Sequence, residues 1–208
     1  MKIEITSASA RDGGAVICVS VRLSEGENSE TRELLLLSSQ YIELGACVGE
    51  IDCDRFDELN SAAELCSAAR RGMNILGYGS CSKRGLAQKL RAKGVDAGVA
   101  SAAADLLESM RYIDENEDAA RIAERCVRKY WGIRRISSEL YSKGYGADAV
   151  EYAIESLARV DFSSLCEEYI KKKYRALPDT PDGRKKLFAA LLRMGYTSSE
   201  IKEAFRAF

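Results

Sequence analysis

The chain contains no histidine, and this absence removes several kinds of active site. Its 208 residues also include only two prolines and one tryptophan. A catalytic triad or a general base built on imidazole is therefore excluded. The sequence also lacks a Walker loop, a dinucleotide-binding fingerprint, a nucleophile elbow and a paired-carboxylate signature. We therefore expect a protein that is not an enzyme and that uses no cofactor.

The cysteines give little support for a metal site or for disulfides. They lie at positions 18, 47, 53, 66, 81, 126 and 166. An odd number of scattered cysteines without a Cys-x-x-Cys pair favours buried thiols in a reducing compartment over zinc ligation or a disulfide framework. The acidic segment 112–118 lacks the spacing and the glycine of an EF-hand, so we expect no metal.

Long apolar runs are also missing. No run approaches the roughly 20 residues that a membrane-spanning helix needs. The start, MKIEITSASARDGG, has no apolar secretory segment. We expect a soluble, cytoplasmic, monomeric protein that does not contact a membrane.

One apolar pattern recurs three times, each time around a glycine. The glycines are Gly94, Gly144 and Gly195, 50 and 51 residues apart. Apolar residues stand eight and four positions before each glycine, and 6, 9, 10 and 13 positions after it, which is helical spacing on both sides. The members are Leu86, Leu90, Ala100, Ala103, Ala104 and Leu107; Ile136, Leu140, Val150, Ala153, Ile154 and Leu157; and Leu187, Leu191, Ile201, Ala204, Phe205 and Phe208. A glycine just past a helix suits a left-handed cap.

Each unit is therefore predicted to be a helix, a tight turn and a second helix, with a further helix ahead of them. Three such units predict a mainly α fold, in which three tandem three-helix repeats form an elongated curved body. The predicted first helices are Leu65–Leu76, Ala119–Tyr130 and Leu165–Tyr174. The predicted boundaries are 1–52 for an N-terminal leader and 53–111, 112–160 and 161–208 for the repeats.

The leader has the pattern of β-structure. Ile3 and Ile5 alternate with polar residues, and two further strands are predicted in Val16–Leu23 and Glu33–Leu37. The turns between them are Asp12-Gly13-Gly14 and Glu25-Gly26-Glu27-Asn28. We expect a small three-stranded antiparallel meander packed on a helix, followed by a short helix or loop over 38–49.

Several polar residues are predicted to begin helices. Asp52 or Asp54 would cap the stretch from Cys53 to Leu76, which is predicted to be one long helix or two abutting helices. Ser80 or Ser82 would cap the next helix, and Asp114 the helix that the acidic linker opens. Both prolines, Pro178 and Pro181, exclude their segment from a helix interior.

Charge divides the chain into an acidic leader and a basic body. Residues 1–67 carry 5 Lys and Arg against 13 Asp and Glu, and residues 68–208 carry 26 against 19. The basic residues collect near the end of the first helix and the start of the second helix in each unit, which favours an anionic partner. Ordinary solvated helix faces would give the same pattern. The candidate partner-binding residues are Lys89, Lys93, Arg128, Lys129, Trp131, Arg134, Arg135 and Lys143.

Two alternatives stay open for these residues. Trp131 lies at a helix junction, where a tryptophan serves either as core or as an anchor for a partner. The helix-turn-helix pattern suggests DNA, but the helices after the three glycines are small or acidic, which does not favour reading of base edges. Binding of single- or double-stranded DNA without sequence preference, through the basic face, is the second function that we consider.

Two segments in the middle of the chain combine several of these residues at specific spacing. They read Tyr112-Ile113-Asp114-Glu115 and Gly132-x-x-Arg135-Ile136-x-x-Glu139-Leu140-x-x-Lys143-Gly144. An earlier set consists of Leu76, Tyr78, Ser82, Leu86, Leu90, Lys93 and Gly94. Together they resemble the signature of the RecX family of bacterial recombinase regulators over residues 68–157, and the third repeat matches more loosely.

The resemblance implies a non-catalytic regulator that lodges in the helical groove of the RecA filament on DNA. Such a protein would lower ATP turnover and strand exchange, with effects on recombination, DNA repair and the SOS response. The chain departs from the family pattern at Gly79, Cys81 and Gly85, where arginines and a glutamate are usual, and at Asp118, where phenylalanine is common. We therefore assign the charged contacts chiefly to the second repeat, at Lys129, Arg134, Arg135 and Lys143.

Overall fold

The computed structural model describes residues 2–26 and 28–208. The fold is mainly helical with a small antiparallel sheet at the N-terminal end, which confirms the predicted fold class at that level. Glu27, in the predicted second turn, lies outside the described residues. The chain divides into two compact units. Unit 1 holds the residues up to Gly79 and Leu86–Tyr112, and unit 2 holds Ser80–Gly85 and Ile113–Phe208.

The sheet has four strands, one more than the predicted meander. The strands are β1 (Lys2–Arg11), β2 (Val16–Glu25), β3 (Asn28–Leu37) and β4 (Gly49–Ile51), in the order β3-β2-β1-β4. All neighbours are antiparallel. The prediction missed β4 because three residues carry no readable alternation. It also placed the start of β3 too late, because the polar first half of β3 pairs with the exposed end of β2.

One face of the sheet packs on a long helix, as predicted. Helix α1 (Ser38–Leu44) follows β3, and α2 (Cys53–Tyr78) is a single helix of 26 residues. The Asp52 carboxylate accepts a hydrogen bond from the Arg55 backbone N–H at 2.8 Å and so caps α2. The core of this part consists of Ile3, Ile5, Val19, Val21, Leu34, Leu36, Ala46 and Leu59.

Eight further helices follow α2 in the described part of the chain. They are α3 (Lys83–Ala92), α4 (Ala97–Ser109), α5 (Glu115–Val127), α6 (Ile133–Ser142), α7 (Ala147–Ser156), α8 (Phe162–Tyr174), α9 (Pro181–Arg193) and α10 (Ser198–Arg206). Gly94, Gly144 and Gly195 follow α3, α6 and α9 with φ of +84°, +84° and +95°. The predicted left-handed turns are thus confirmed, and we call them the three glycine turns. The four-part division at 52, 111 and 160 stays a prediction.

Most positions of the repeated apolar pattern are buried. The two positions before each glycine turn are at most 3% exposed: Leu86, Leu90, Ile136, Leu140, Leu187 and Leu191. Phe208, the last position of the third pattern, is instead 45% exposed. It follows α10, which ends at Arg206, so helical burial does not extend to it.

The capping predictions are confirmed where they can be compared. Asp114 accepts from the Glu117 backbone N–H at 3.1 Å, and Ser82 Oγ accepts from Gly85 N–H at 3.0 Å. Pro181 is the first residue of α9, where a missing N–H costs nothing, and Thr180 caps that helix. Within residues 2–26 and 28–208, no helix is both long enough and apolar enough to cross a membrane.

Candidate partner-binding surface

The start of α6 is held against the third glycine turn by backbone contacts. The Gly132 N–H donates to the Met194 carbonyl at 2.9 Å, and the Arg134 N–H donates to the Gly195 carbonyl at 3.1 Å. A Cβ atom on Gly132 would lie 2.5 Å from the Gly195 carbonyl oxygen. Only glycine allows this approach. These backbone contacts therefore hold the basic segment around Arg134 in a fixed position, and we call them a junction.

Trp131 and Arg135 stack beside this junction. The Arg135 guanidinium carbon lies 3.9 Å from the centre of the Trp131 ring, and Lys129 Nζ lies 5.6 Å from it. Arg135 Nη1 also lies 3.1 Å from the Met194 sulfur. Both stacked side chains are half-buried, and Trp131 packs against the core of unit 2. A cation over an indole face is stabilised by the ring quadrupole, so the pair presents a positive and rigid edge.

Three further predicted cations lie in the same unit. Arg134 is exposed on the first turn of α6. Arg128 pairs with Glu124 at 3.6 Å, and Lys143 pairs with Glu139 at 3.3 Å. Exposed pairs within one helix hold their partners weakly, so these cations are available to another molecule. Lys129, Trp131, Arg134 and Arg135 form the compact part of the candidate site, which we call the Trp131 surface.

The first predicted cations lie in the other unit. Lys89 is exposed on α3, and Lys93 is exposed in the first glycine turn. Both belong to unit 1, whereas the Trp131 surface belongs to unit 2. Their membership of one continuous basic face stays a prediction.

A second junction, between α3 and the second glycine turn, repeats the geometry of the first. Ser82 Oγ donates to the Lys143 carbonyl at 2.7 Å, and the Lys83 N–H donates to Glu115 Oε1 at 2.7 Å. A Cβ atom on Gly85 would lie 3.0 Å from Ser82 Oγ. Gly85, at a position where the resemblance predicts glutamate, is small enough for this tight approach. The backbone of Lys143 is structural, while its ammonium group is exposed.

A cluster that the sequence analysis missed lies on α8 and on the turn after α5, both in unit 2. Lys172 Nζ lies 4.9 Å from the Tyr130 ring centre, and Lys173 Nζ lies 5.4 Å from the centres of Tyr169 and Tyr174. Lys173 Nζ also lies 3.0 Å from the Tyr169 hydroxyl, and this hydrogen bond raises the pKa of Lys173. We call these residues the tyrosine–lysine patch. The Lys171–Lys173 run was a visible signal, but its aromatic partners come from the tertiary fold.

The position at which the resemblance predicts phenylalanine holds a buried acid, Asp118. Asp118 is 4% exposed and pairs with Arg121. Tyr145 lies nearby, and burial, followed by the charge of Asp118, raises its pKa to about 12. Its hydroxyl is buried and has no hydrogen-bond partner in the described part of the chain. Tyr145 belongs to the hydrophobic core of unit 2. Among the described residues, no group of side chains is arranged to hold a metal ion.

Comparisons with known proteins show what this chain is similar to. No family model matches the chain. Over 98 residues it is 33% identical to regulatory protein RecX of Salmonella arizonae and 32% identical to that of Escherichia coli K12. The match covers 47% of this chain and 58% of each relative, so the chain spans a little over half the length of these curated relatives.

Solved structures give the fold over a larger part of the chain. A crystal structure of a regulatory protein RecX superposes with a TM-score of 0.77 at 16% identity, covering 99% of this chain and all of the other. A RecX structure from Lactobacillus salivarius gives 0.58 at 17% identity, covering 70% and 97%. At this identity the structures establish the shared fold. Together with the sequence relatives, they support the predicted resemblance of this chain to the RecX family.

Proposed function

We propose that this protein is a non-catalytic regulator that binds the RecA filament on DNA and lowers its ATPase and strand-exchange activities. The observation that carries the proposal is the Trp131 surface, in which exposed cations are held on a fixed junction at the segment that bears the family signature. Its relatives are named regulatory proteins, which supports the same class of function.

The geometry of this surface suits a protein partner. A half-buried tryptophan flanked by arginine is the kind of anchor that contributes most to interface affinity. The surrounding cations would select an acidic or polar partner surface and speed association. Because the Gly132–Gly195 junction already fixes the backbone, little ordering cost is added on binding.

The proposal is tested with the cognate recombinase. DNA-dependent ATP hydrolysis would be measured with and without the full chain, at ratios up to one copy per recombinase subunit. We expect a dose-dependent loss of turnover that appears with preformed filaments. Unchanged hydrolysis across the whole range would overturn the proposal.

A second candidate function rests on the tyrosine–lysine patch. Aromatic rings interleaved with lysines stack bases and neutralise phosphates without reading sequence. Direct binding of single-stranded DNA would weaken steeply with salt because counterions are released. Fluorescence anisotropy of a labelled oligonucleotide at two salt concentrations, with Lys172→Ala and Lys173→Ala variants, separates this function from filament binding.

The leading proposal also places the protein in its cellular setting. A regulator of RecA acts in recombination, DNA repair and the SOS response, in the cytoplasm, and we propose that it does so as a monomer. Lys89, Lys93, Arg128 and Lys143 would extend the contact beyond the Trp131 surface.

A further inference from the structure

Two of the three glycine turns receive the start of a helix. At the second turn, a Cβ atom on Gly144 would lie 3.0 Å from Ser82 Oγ and 3.3 Å from the Cβ of Arg84. At the third turn, a Cβ atom on Gly195 would lie 2.5 Å from the Cβ of Arg135. In both junctions the residue just before the incoming helix is Ser or Gly, and the first turn of the helix carries arginine. This helix start donates hydrogen bonds to carbonyls of the glycine turn.

The first glycine turn has no such occupant. A Cβ atom on Gly94 would meet nothing within 4 Å. Within the part of the chain that the structure describes, no other segment donates a hydrogen bond to the Lys93 or Gly94 carbonyl. The Lys93 and Gly94 carbonyls therefore lack the donors that the Lys143 carbonyl has at the second turn and that the Met194 and Gly195 carbonyls have at the third.

A groove lies beside this turn, within unit 1. Its volume is about 320 Å³, and it is lined by Glu64, Ser67, Ala68, Arg71, Gly94, Val95, Asp96 and Val99. Val95 occupies the place of Tyr145 and Tyr196 in the other two turns, which are 3% and 0% exposed. Valine is smaller than tyrosine and is only partly buried here. We call these eight residues the Gly94 groove.

Two acids and one arginine, Arg71, line the groove, so acidic charge is in excess there and suits a helix start. The N-terminus of a helix carries a partial positive charge and attracts acids. In the α3 junction, Glu115 supplies that acid by accepting from the Lys83 N–H. Glu64 lies 51 residues before Glu115 and lines the groove together with Asp96. Both groove acids are exposed, so an incoming helix start with basic side chains would find complementary charge.

A second copy of this chain is a poor occupant. The next helix start in the series is that of α9 (Pro181–Arg193), and Gly183, 51 residues after Gly132, lies in its first turn. A Cβ atom on Gly183 would lie 2.6 Å from the Cβ of Pro178. The proline segment of the chain itself thus covers this helix start, and a head-to-tail copy would first have to displace it.

We propose that the Gly94 groove docks the first turn of an α-helix from a partner protein, with Ser or Gly at its N-cap and Lys or Arg in its first turn. The helix would donate to the Lys93 and Gly94 carbonyls, and Glu64 would face its N-terminus. This site goes beyond filament binding by the Trp131 surface and does not depend on it.

The test uses the full chain and a peptide of its own occupied junction. The peptide carries residues 80–92 with Gln88→Glu and Ala92→Lys, and a lactam between these two new side chains holds it helical; both positions are exposed in the chain. Amide chemical shifts of the ¹⁵N-labelled chain are followed up to about 1 mM peptide, a concentration suited to a contact of this size. We expect saturable shifts at residues 64–71 and 93–99. A Ser82→Leu peptide should bind at least about tenfold more weakly, because it loses the hydroxyl donor.

Matched variants of the chain complete the test. Glu64→Lys should weaken peptide binding about tenfold or more, and Ser67→Trp should fill the groove. Asp57→Lys and Ser61→Trp make the same changes at α2 positions outside the groove and should bind normally. Absent shifts, or binding that survives Glu64→Lys and Ser67→Trp, would overturn the proposal. Self-association of the chain that Glu64→Lys abolishes would assign the groove to a second copy and overturn it as well.

Discussion

The hydroxyl of Tyr196 donates a hydrogen bond to the backbone carbonyl of Tyr130 at 2.8 Å, joining residues 66 positions apart. Tyr145 stands in the same place of the preceding glycine turn and is nearly as buried. Its hydroxyl has no partner among the described residues. Two tyrosines in equivalent positions therefore contribute differently to stability.

We expect opposite effects when each hydroxyl is removed. Tyr196→Phe leaves the Tyr130 carbonyl without its donor and should lower the free energy of unfolding by about 1 kcal/mol. Tyr145→Phe removes a buried, unpaired polar group and should leave the free energy unchanged or raise it by up to about 1 kcal/mol. Urea unfolding at pH 7 measures both. Equal losses would show that the Tyr145 hydroxyl has a partner in solution.

The same two tyrosines predict sensitivity to alkali. Burial raises the pKa of Tyr145 from 10.0 to about 12, and it raises that of Tyr196 as well. When the pKa of a tyrosine is higher in the folded than in the unfolded state, its protonated form stabilises the fold. This stabilisation is complete below about pH 10 and is lost as the pH rises toward 12. The free energy of unfolding should therefore fall between pH 10 and 12, less steeply in Tyr145→Phe.

An exposed tyrosine provides the control for this pH dependence. Tyr78 is 96% exposed, so Tyr78→Phe should not change the slope. Burial raises the pKa of Cys166 from 9.0 to about 12, so this thiol also lowers the free energy of unfolding in alkali. Its effect is the same in every variant and cancels when the slopes are compared. Identical slopes for Tyr145→Phe and the parent chain would contradict the assignment.

The glycine turns allow a test of the junctions. Gly94→Ala and Gly195→Ala both place a side chain at positive φ, which costs about 1–2 kcal/mol. At Gly195 the new Cβ would also lie 2.5 Å from the Arg135 Cβ and 2.8 Å from the Gly132 carbonyl oxygen, so the backbone must shift. We expect an additional loss of about 1–3 kcal/mol at Gly195. Urea unfolding followed by circular dichroism compares them, and equal losses would argue against a tight junction.

Much of the helical fold was predictable because its signals are local. The spacing of Leu86 and Leu90 indicates one helical face, and a glycine directly after it indicates a left-handed cap. Both features depend on a few neighbouring residues. Strand β4 was missed because its pairing with Ile3 and Ile5 arises from tertiary structure, and three residues show no period of their own.

The candidate site was predictable in its residues but not in its geometry. The sequence indicates that Arg134 and Arg135 are basic neighbours in a helix. It does not indicate that Arg135 stacks on Trp131 while Arg134 is exposed, because that depends on Met194 and Gly195, about 60 residues later. Tyr130 and Tyr169, whose ring centres lie 6.0 Å apart, were missed for the same reason.

The two arginines are therefore expected to act differently in the recombinase assay. Arg134→Glu reverses an exposed charge and should weaken inhibition of ATP hydrolysis about tenfold or more, because like charges at an interface repel. The circular dichroism spectrum should not change. Lys202→Glu makes the same charge change at an exposed position of α10 and should inhibit as the parent does. Equal inhibition by Arg134→Glu would remove this residue from the partner-binding surface.

Arg135 is expected to be a positioning residue for Trp131, and the single tryptophan of the chain reports on it. Arg135→Ala uncovers the indole face at 3.9 Å, so the fluorescence emission should shift to longer wavelength. The free energy of unfolding should fall by about 1 kcal/mol through the lost cation–π and packing contacts. Arg135→Lys keeps the charge but not the planar stack, and should lie between Ala and the parent.

Lys129→Ala is the matched control, because Lys129 is also a cation near the same ring but at 5.6 Å and in an exposed position. We expect it to change the emission and the stability less than Arg135→Ala does, since the attraction of a cation to an aromatic face weakens with distance and with solvent. If Lys129→Ala and Arg135→Ala shifted the emission equally, both cations would cover the Trp131 ring to the same extent and neither would be fixed over it. The fixed stack of Arg135 between Trp131 and Met194 would then be wrong, and with it the rigidity assigned to this surface.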